Sequence, residues 1–140
     1  MMAKSLIFEP MGALALLTFL VLLLIPVQRF RASFSGEVSA NDFKFGESSQ
    51  VPGYVSIPNR NYMNLLELPM LFYVICLMSY AADRVTTVTL YAAWAYVVAR
   101  ALHSLVHTTY NNVFHRLILF AGSNVILIGM WAWFFFAPRV

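Results

Sequence analysis

The chain is 140 residues long, 61% hydrophobic and 11% charged, with a formal net charge of +3. Ordinary soluble domains carry about 25% charged residues, so a surface this poor in charge is built to meet lipid. The length suits one membrane domain, residues 1–140, and the scattered basic residues leave no nucleic-acid footprint.

A spanning helix needs about 20 mainly apolar residues. Residues 6–27 (LIFEPMGALALLTFLVLLLIPV) predict the first. One lysine, Lys4, precedes it, and its apolar run is too long for a cleaved signal peptide, so it reads as a retained helix. Residues 28–58 form a long polar loop, rich in Ser and Gly and holding Glu37, Asp42, Lys44 and Glu47. A loop of this length is expected to be functional or disordered. Residues 63–82, 85–106 and 117–137 predict three more spans, the last ending in WAWFFF. Trp131, Trp133 and those phenylalanines suit a membrane interface. The connections around Asp83–Arg84 and Asn111–Arg116 are short and force antiparallel neighbours. The predicted fold is an all-α, four-transmembrane-helix up-and-down bundle. The lone Cys76 permits no internal disulfide and reads as a small buried hydrophobe.

That topology gathers the polar residues at one end: Arg29, Arg31, Arg60, Asn64, Glu67, Arg100, His103, His107, Tyr110, Asn111 and Arg116. Lys4, Arg84 and Arg139 fall at the other. The positive-inside bias turns the richer end towards the cytoplasm. Spacing sharpens the pattern. Arg60, Asn64 and Glu67 share one helical face, and so do Tyr96, Arg100, His103, His107 and Tyr110. Ionisable residues inside a membrane usually face a bundle interior or a wet cavity. Glu67, about two turns into its helix, and Arg100 are expected to meet at similar depth.

Two readings of these residues stay open. In the first, Glu67 and Arg100 form a structural ion pair, and Arg29, Arg31 and Arg116 sit beside anionic lipid. In the second, the arginines fork to the carboxylates of a small ligand, Glu67 takes its amine and Asn64 binds its amides. His103 and His107 have the spacing of two metal ligands, but no Cys, Asp or Glu stands beside them, so no metal is expected. Pro69 is expected to kink its helix and free a backbone carbonyl.

At NRNYMNLLELP and VARALHSLVHTTYNNVFHR the chain resembles the MAPEG family, the membrane-associated proteins of eicosanoid and glutathione metabolism. NLLELPMLFY and ARALHSLVHTTYN are most similar to its bacterial branch. The resemblance implies a homotrimer in a bacterial inner membrane, with glutathione as cosubstrate bound between subunits. The helix-two arginine, asparagine and glutamate that contact glutathione in the family match Arg60, Asn64 and Glu67. The helix-three arginine matches Arg100, and the basic pair after helix one matches Arg29 and Arg31. Two glutathione-contacting tyrosines of the leukotriene-synthase branch fall on His103 and His107. Tyr110 closes that face. The thiol-activating arginine of that branch falls on Phe114, and Arg116 replaces it through a shifted alignment.

The implied chemistry is conjugation or peroxide reduction on lipophilic electrophiles that enter from the bilayer. An arginine beside the thiol would favour its anion. The contrasting expectation is a non-catalytic, lipid-binding or accessory subunit of a larger membrane complex.

Overall fold

In lipid, backbone polar groups must be satisfied within their own segment, so the apolar runs of this chain become helices. The computed structural model describes residues 3–138. A 3-10 turn at Lys4–Ile7 leads into α1, Phe8–Phe34. The second span is made of two pieces, α2 (Gly53–Leu66) and α3 (Pro69–Ala81), with Glu67 and Leu68 between them. Then come α4 (Thr87–Thr108) and α5 (Val113–Phe136). The Thr86 side chain caps α4 by accepting from Thr89 N–H, and Asn112 caps α5 by accepting from Phe114 and His115 N–H.

The up-and-down order is visible in the end contacts. Lys4 pairs with Asp83, joining the start of α1 to the end of α3. Arg84 donates to the Phe134 carbonyl and, at 2.7 Å, to the Ala137 carbonyl, joining α3 to the end of α5. Between them lies a core of Leu14, Leu65, Phe72, Ile75, Cys76, Tyr96 and Leu127, with the Phe72 and Tyr96 rings stacked at 4.7 Å.

Three stretches are long and apolar enough to cross a membrane: Lys4–Phe34, Gly53–Ala81 and Val113–Phe136. The remaining helix, α4, has 22 residues and so the length, about 33 Å, but not the apolarity. Its polar side chains are turned inward instead. Arg100, His103, Ser104 and His107 are all buried, and α4 packs against α5, α1 and α2.

The helix ends differ from those expected. Residues 28–58 are not one loop: α1 continues to Phe34, a 3-10 turn spans Ala40–Phe43, and α2 begins at Gly53. Loss of apolarity marks where lipid ends, not where hydrogen bonding must. Buried Ala32, Val38 and Val55 form a small cluster that holds the two extensions together. At the last span the Asn112 cap starts the helix at Val113 rather than at residue 117. Arg139, counted in the charge bias, lies outside the described residues.

Between Phe34 and Gly53 the backbone is organised around Asp42. Its carboxylate accepts from Ser39 N–H (2.8 Å), the Ser39 hydroxyl (2.9 Å) and the Ser48 hydroxyl (3.1 Å). These donors hold its pKa below the usual carboxylate range, the Ser39 backbone bond first. A depressed folded pKa stabilises the turn above the unfolded pKa and loses that stabilisation as pH falls through the folded one. Amide protection factors at Ser39 to Ser48, corrected for intrinsic exchange, should therefore be larger at neutral pH and fall below about pH 4. Asp42→Ala should be poorly protected at both pH values; protection in the variant equal to the parent's at each pH would refute the assignment.

Candidate functional site

The site begins with a break in a helix. The α2 hydrogen-bond ladder ends with Glu67 N–H on the Met63 carbonyl, at 3.1 Å. Glu67 then leaves helical geometry, with ψ at −95°. Pro69 has no N–H to offer the preceding turn, and α3 restarts with Met70 N–H on the Glu67 carbonyl. A carbonyl released at this depth needs a donor, because no water competes for it. Arg100 of α4 supplies one: its Nη2 donates to the Asn64 carbonyl at 2.6 Å. One turn earlier the same two helices are joined again, as the Ser104 hydroxyl donates to Asn61 Oδ1 at 3.2 Å.

Around this seam lies a buried polar nest. Arg100 and Asn61 are 0% exposed, and His103 and His107 are buried beside them. The Arg100 guanidinium lies 5.6 Å from the Phe120 ring of α5. The His103 ring centroid is 5.7 Å from that of His107 and 5.9 Å from that of Phe120. Several nitrogens here are buried without a partner: Arg100 Nε and Nη1, Asn61 Nδ2, His103 Nδ1 and His107 Nδ1. Among the described residues no third His, Cys, Asp or Glu joins the two histidines into a metal-ligand group.

The structure divides the residues singled out in the sequence. Arg100, His103 and His107 meet in the interior, and half-buried Asn64 joins them through its backbone carbonyl. Arg60 and Glu67 stand exposed on the outer surface of α2 and its C-cap. Tyr110 lies beyond the end of α4, exposed, with its hydroxyl 3.0 Å from His115 Nδ1. Arg116 is half-buried and donates to Asn111 Oδ1 at 2.8 Å. Of the basic pair, Arg29 turns inward onto Glu47 (3.4 Å) and the Phe43 ring (4.4 Å), while Arg31 is exposed.

The expected Glu67–Arg100 pairing does not form. Among the described residues the ion pairs are Lys4–Asp83 and Arg29–Glu47. Glu67 stays on the outer face of α2 with Arg60, and the break hands Arg100 a carbonyl instead of a carboxylate. Glu67 follows the 14 residues of α2, but the apolar run begins only near residue 63, so Glu67 stays close to one edge of the lipid layer, as expected. Asn61 and Ser104 escaped the sequence reading. Their signal was spacing: Asn61 lies three residues before Asn64, and Ser104 lies four after Arg100 and three before His107.

No site residue lines either principal cavity of the chain. One, of about 830 Å³, lies at the opposite end among Ser79, Asp83, Arg84, Thr89, Trp133 and Phe134. The other, about 210 Å³ and mostly apolar, lies between α1 and α2 against Thr18, Tyr62, Leu66 and Tyr73. A family model, described as the MAPEG family, matches residues 7–136. No curated protein and no solved structure matches the chain.

Arg100 and Pro69 should be energetically coupled. Arg100→Met leaves the Asn64 carbonyl without its donor and should cost about 1–3 kcal/mol in detergent unfolding. In a Pro69→Ala background, where the ladder can close, the same change should cost at least about 1 kcal/mol less. Additive effects in the double-mutant cycle would show that the break and the arginine are unrelated.

Proposed function

The chain belongs to the MAPEG family, and on that premise we propose that this integral membrane protein binds glutathione between the subunits of a homotrimer and uses its thiol on lipophilic electrophiles. The observation that carries this reading is an exposed carboxylate, Glu67, at a helix break inside an apolar span and on the same outer face as Arg60. A lone charge facing hydrocarbon is costly, so that surface calls for a polar partner. A second copy of the chain with a zwitterionic peptide between the two answers the need.

In this reading Arg60 forks to a glutathione carboxylate, Glu67 accepts from the amine and Asn64 bonds an amide. Arg100 stands behind Asn64 with two donors unfilled. It acts by fixing the broken helix and by lending positive potential. Arg29, Arg31 and Tyr110 lie towards the mouth, and His103 and His107 line the inner wall. Arg116 favours the thiolate over the thiol. The sulfur then attacks the electrophilic carbon, the leaving group departs with its electron pair, and the thiol proton passes to solvent. Substrate enters sideways from the bilayer. The bacterial inner membrane, with this end towards the cytoplasm, is the proposed location.

One observation favours a second reading, a non-catalytic lipid-binding or accessory subunit of a larger complex. Phe114 stands where the family's thiol-activating arginine falls, and the Arg116 guanidinium is engaged by Asn111.

Titration calorimetry on the purified protein in detergent separates the two. Glutathione should bind, and Glu67→Ala or Arg60→Ala should weaken binding by about tenfold or more, the scale of one charge-assisted contact. No heat from the parent protein would sink the proposal. Arg116→Ala should lower the conjugation rate with a standard electrophile while affinity holds. A parent that binds glutathione yet conjugates nothing would favour the second reading.

A further inference from the structure

Beyond the glutathione reading, and independent of it, the segment joining α1 to α2 has the make-up of a membrane-surface anchor. With 27 residues, α1 is about 40 Å long, against a hydrocarbon layer of about 30 Å. Its last turns therefore emerge among lipid head groups. The largest exposed aromatics of this region are found there: Phe34 is 88% exposed and Phe45 is 93% exposed. Phe30 stacks on Phe34 at 6.4 Å and is exposed as well.

The charges of the segment are sorted. Its acids are all engaged within it or with its neighbours. Glu47 pairs with Arg29, Asp42 takes three donors from Ser39 and Ser48, and Glu37 accepts from the Ser35 hydroxyl (2.8 Å) and the Tyr54 hydroxyl (3.0 Å). Arg31 and Lys44 are exposed and have no acid within ion-pair distance among the described residues. Lys44 Nζ lies 5.1 Å from the centre of the Phe45 ring. The connection itself carries three acids and one lysine, and its formal charges cancel only with Arg29 and Arg31 of α1, so attraction to an anionic surface rests on arrangement: acids tied down, cations free beside bare aromatics. Phenylalanine in the head-group layer with a lysine reaching phosphate fits that arrangement.

We propose that the α1–α2 connection docks on the adjacent leaflet, with Phe34 and Phe45 entering the head-group layer and Lys44 binding anionic lipid phosphate. The full-length protein in nanodiscs tests this with a Phe45→Trp variant, read against the parent with its native Trp94, Trp131 and Trp133. Emission from the introduced indole should be blue-shifted and quenched by lipid brominated near the head group, more in discs containing phosphatidylglycerol than in pure phosphatidylcholine. Adding Lys44→Gln should remove the phosphatidylglycerol increment. Water-like emission without quenching would overturn the proposal. So would blue-shifted emission without quenching, which would put the loop against another protein surface, and so would quenching indifferent to both lipid charge and Lys44.

Discussion

The hydrogen bond from Arg100 to the Asn64 carbonyl is the contact on which the polar half of this molecule depends. A span containing Pro69 must release backbone carbonyls, and a bilayer offers nothing to receive them. A buried guanidinium is equally unwelcome there without an acceptor. Each defect answers the other across the α2–α4 seam, and the Asn61–Ser104 bond fixes the register one turn away. The outcome is a second span in two pieces, with Glu67 at the joint facing outward instead of inward.

From that joint the rest of the proposed site follows. Arg100 keeps two donors free inside the subunit, and Arg60 and Glu67 present opposite charges outside it. Neither principal cavity is lined by these residues; the one of about 830 Å³ lies at the other end, beside Arg84 and Trp133. A polar edge on the outer surface is open to a partner. This is why the reading rests on a neighbouring subunit rather than on a cleft within the chain.

Much of the fold was legible in the residues, and the reasons for the rest are physical. Hydropathy found three spans, length and inward-turned polar residues mark the fourth helix, α4, and short connections fixed their antiparallel order. It misplaced the ends of α1 and α2 because apolarity reports lipid contact, whereas Gln28 to Phe34 and Gly53 to Tyr62 stay helical outside the greasy run. The i, i+3, i+4 pattern on α4 correctly grouped Arg100, His103 and His107, since an unbroken helix preserves spacing as direction. The same rule put Arg60 and Glu67 on one face of α2, where both are exposed; what failed is the pairing of Glu67 with Arg100, because the break offers the guanidinium the Asn64 carbonyl instead. Pro69 carried that information, read as a kink without the consequence for its neighbour. Asn61 and Ser104 were missed because a single amide or hydroxyl in an apolar string draws no notice until its partner is known.

The central claim, that the outward Glu67 face and the Arg100 seam together hold a thiol peptide between copies of the chain, is tested most directly by a density map of the detergent-purified protein with glutathione. The account predicts three copies, with linear peptide-like density between Glu67 and Arg60 of one subunit and its neighbour, and the Arg100 bond to the Asn64 carbonyl intact. A lone subunit, or a lipid head group in place of the peptide, would contradict it.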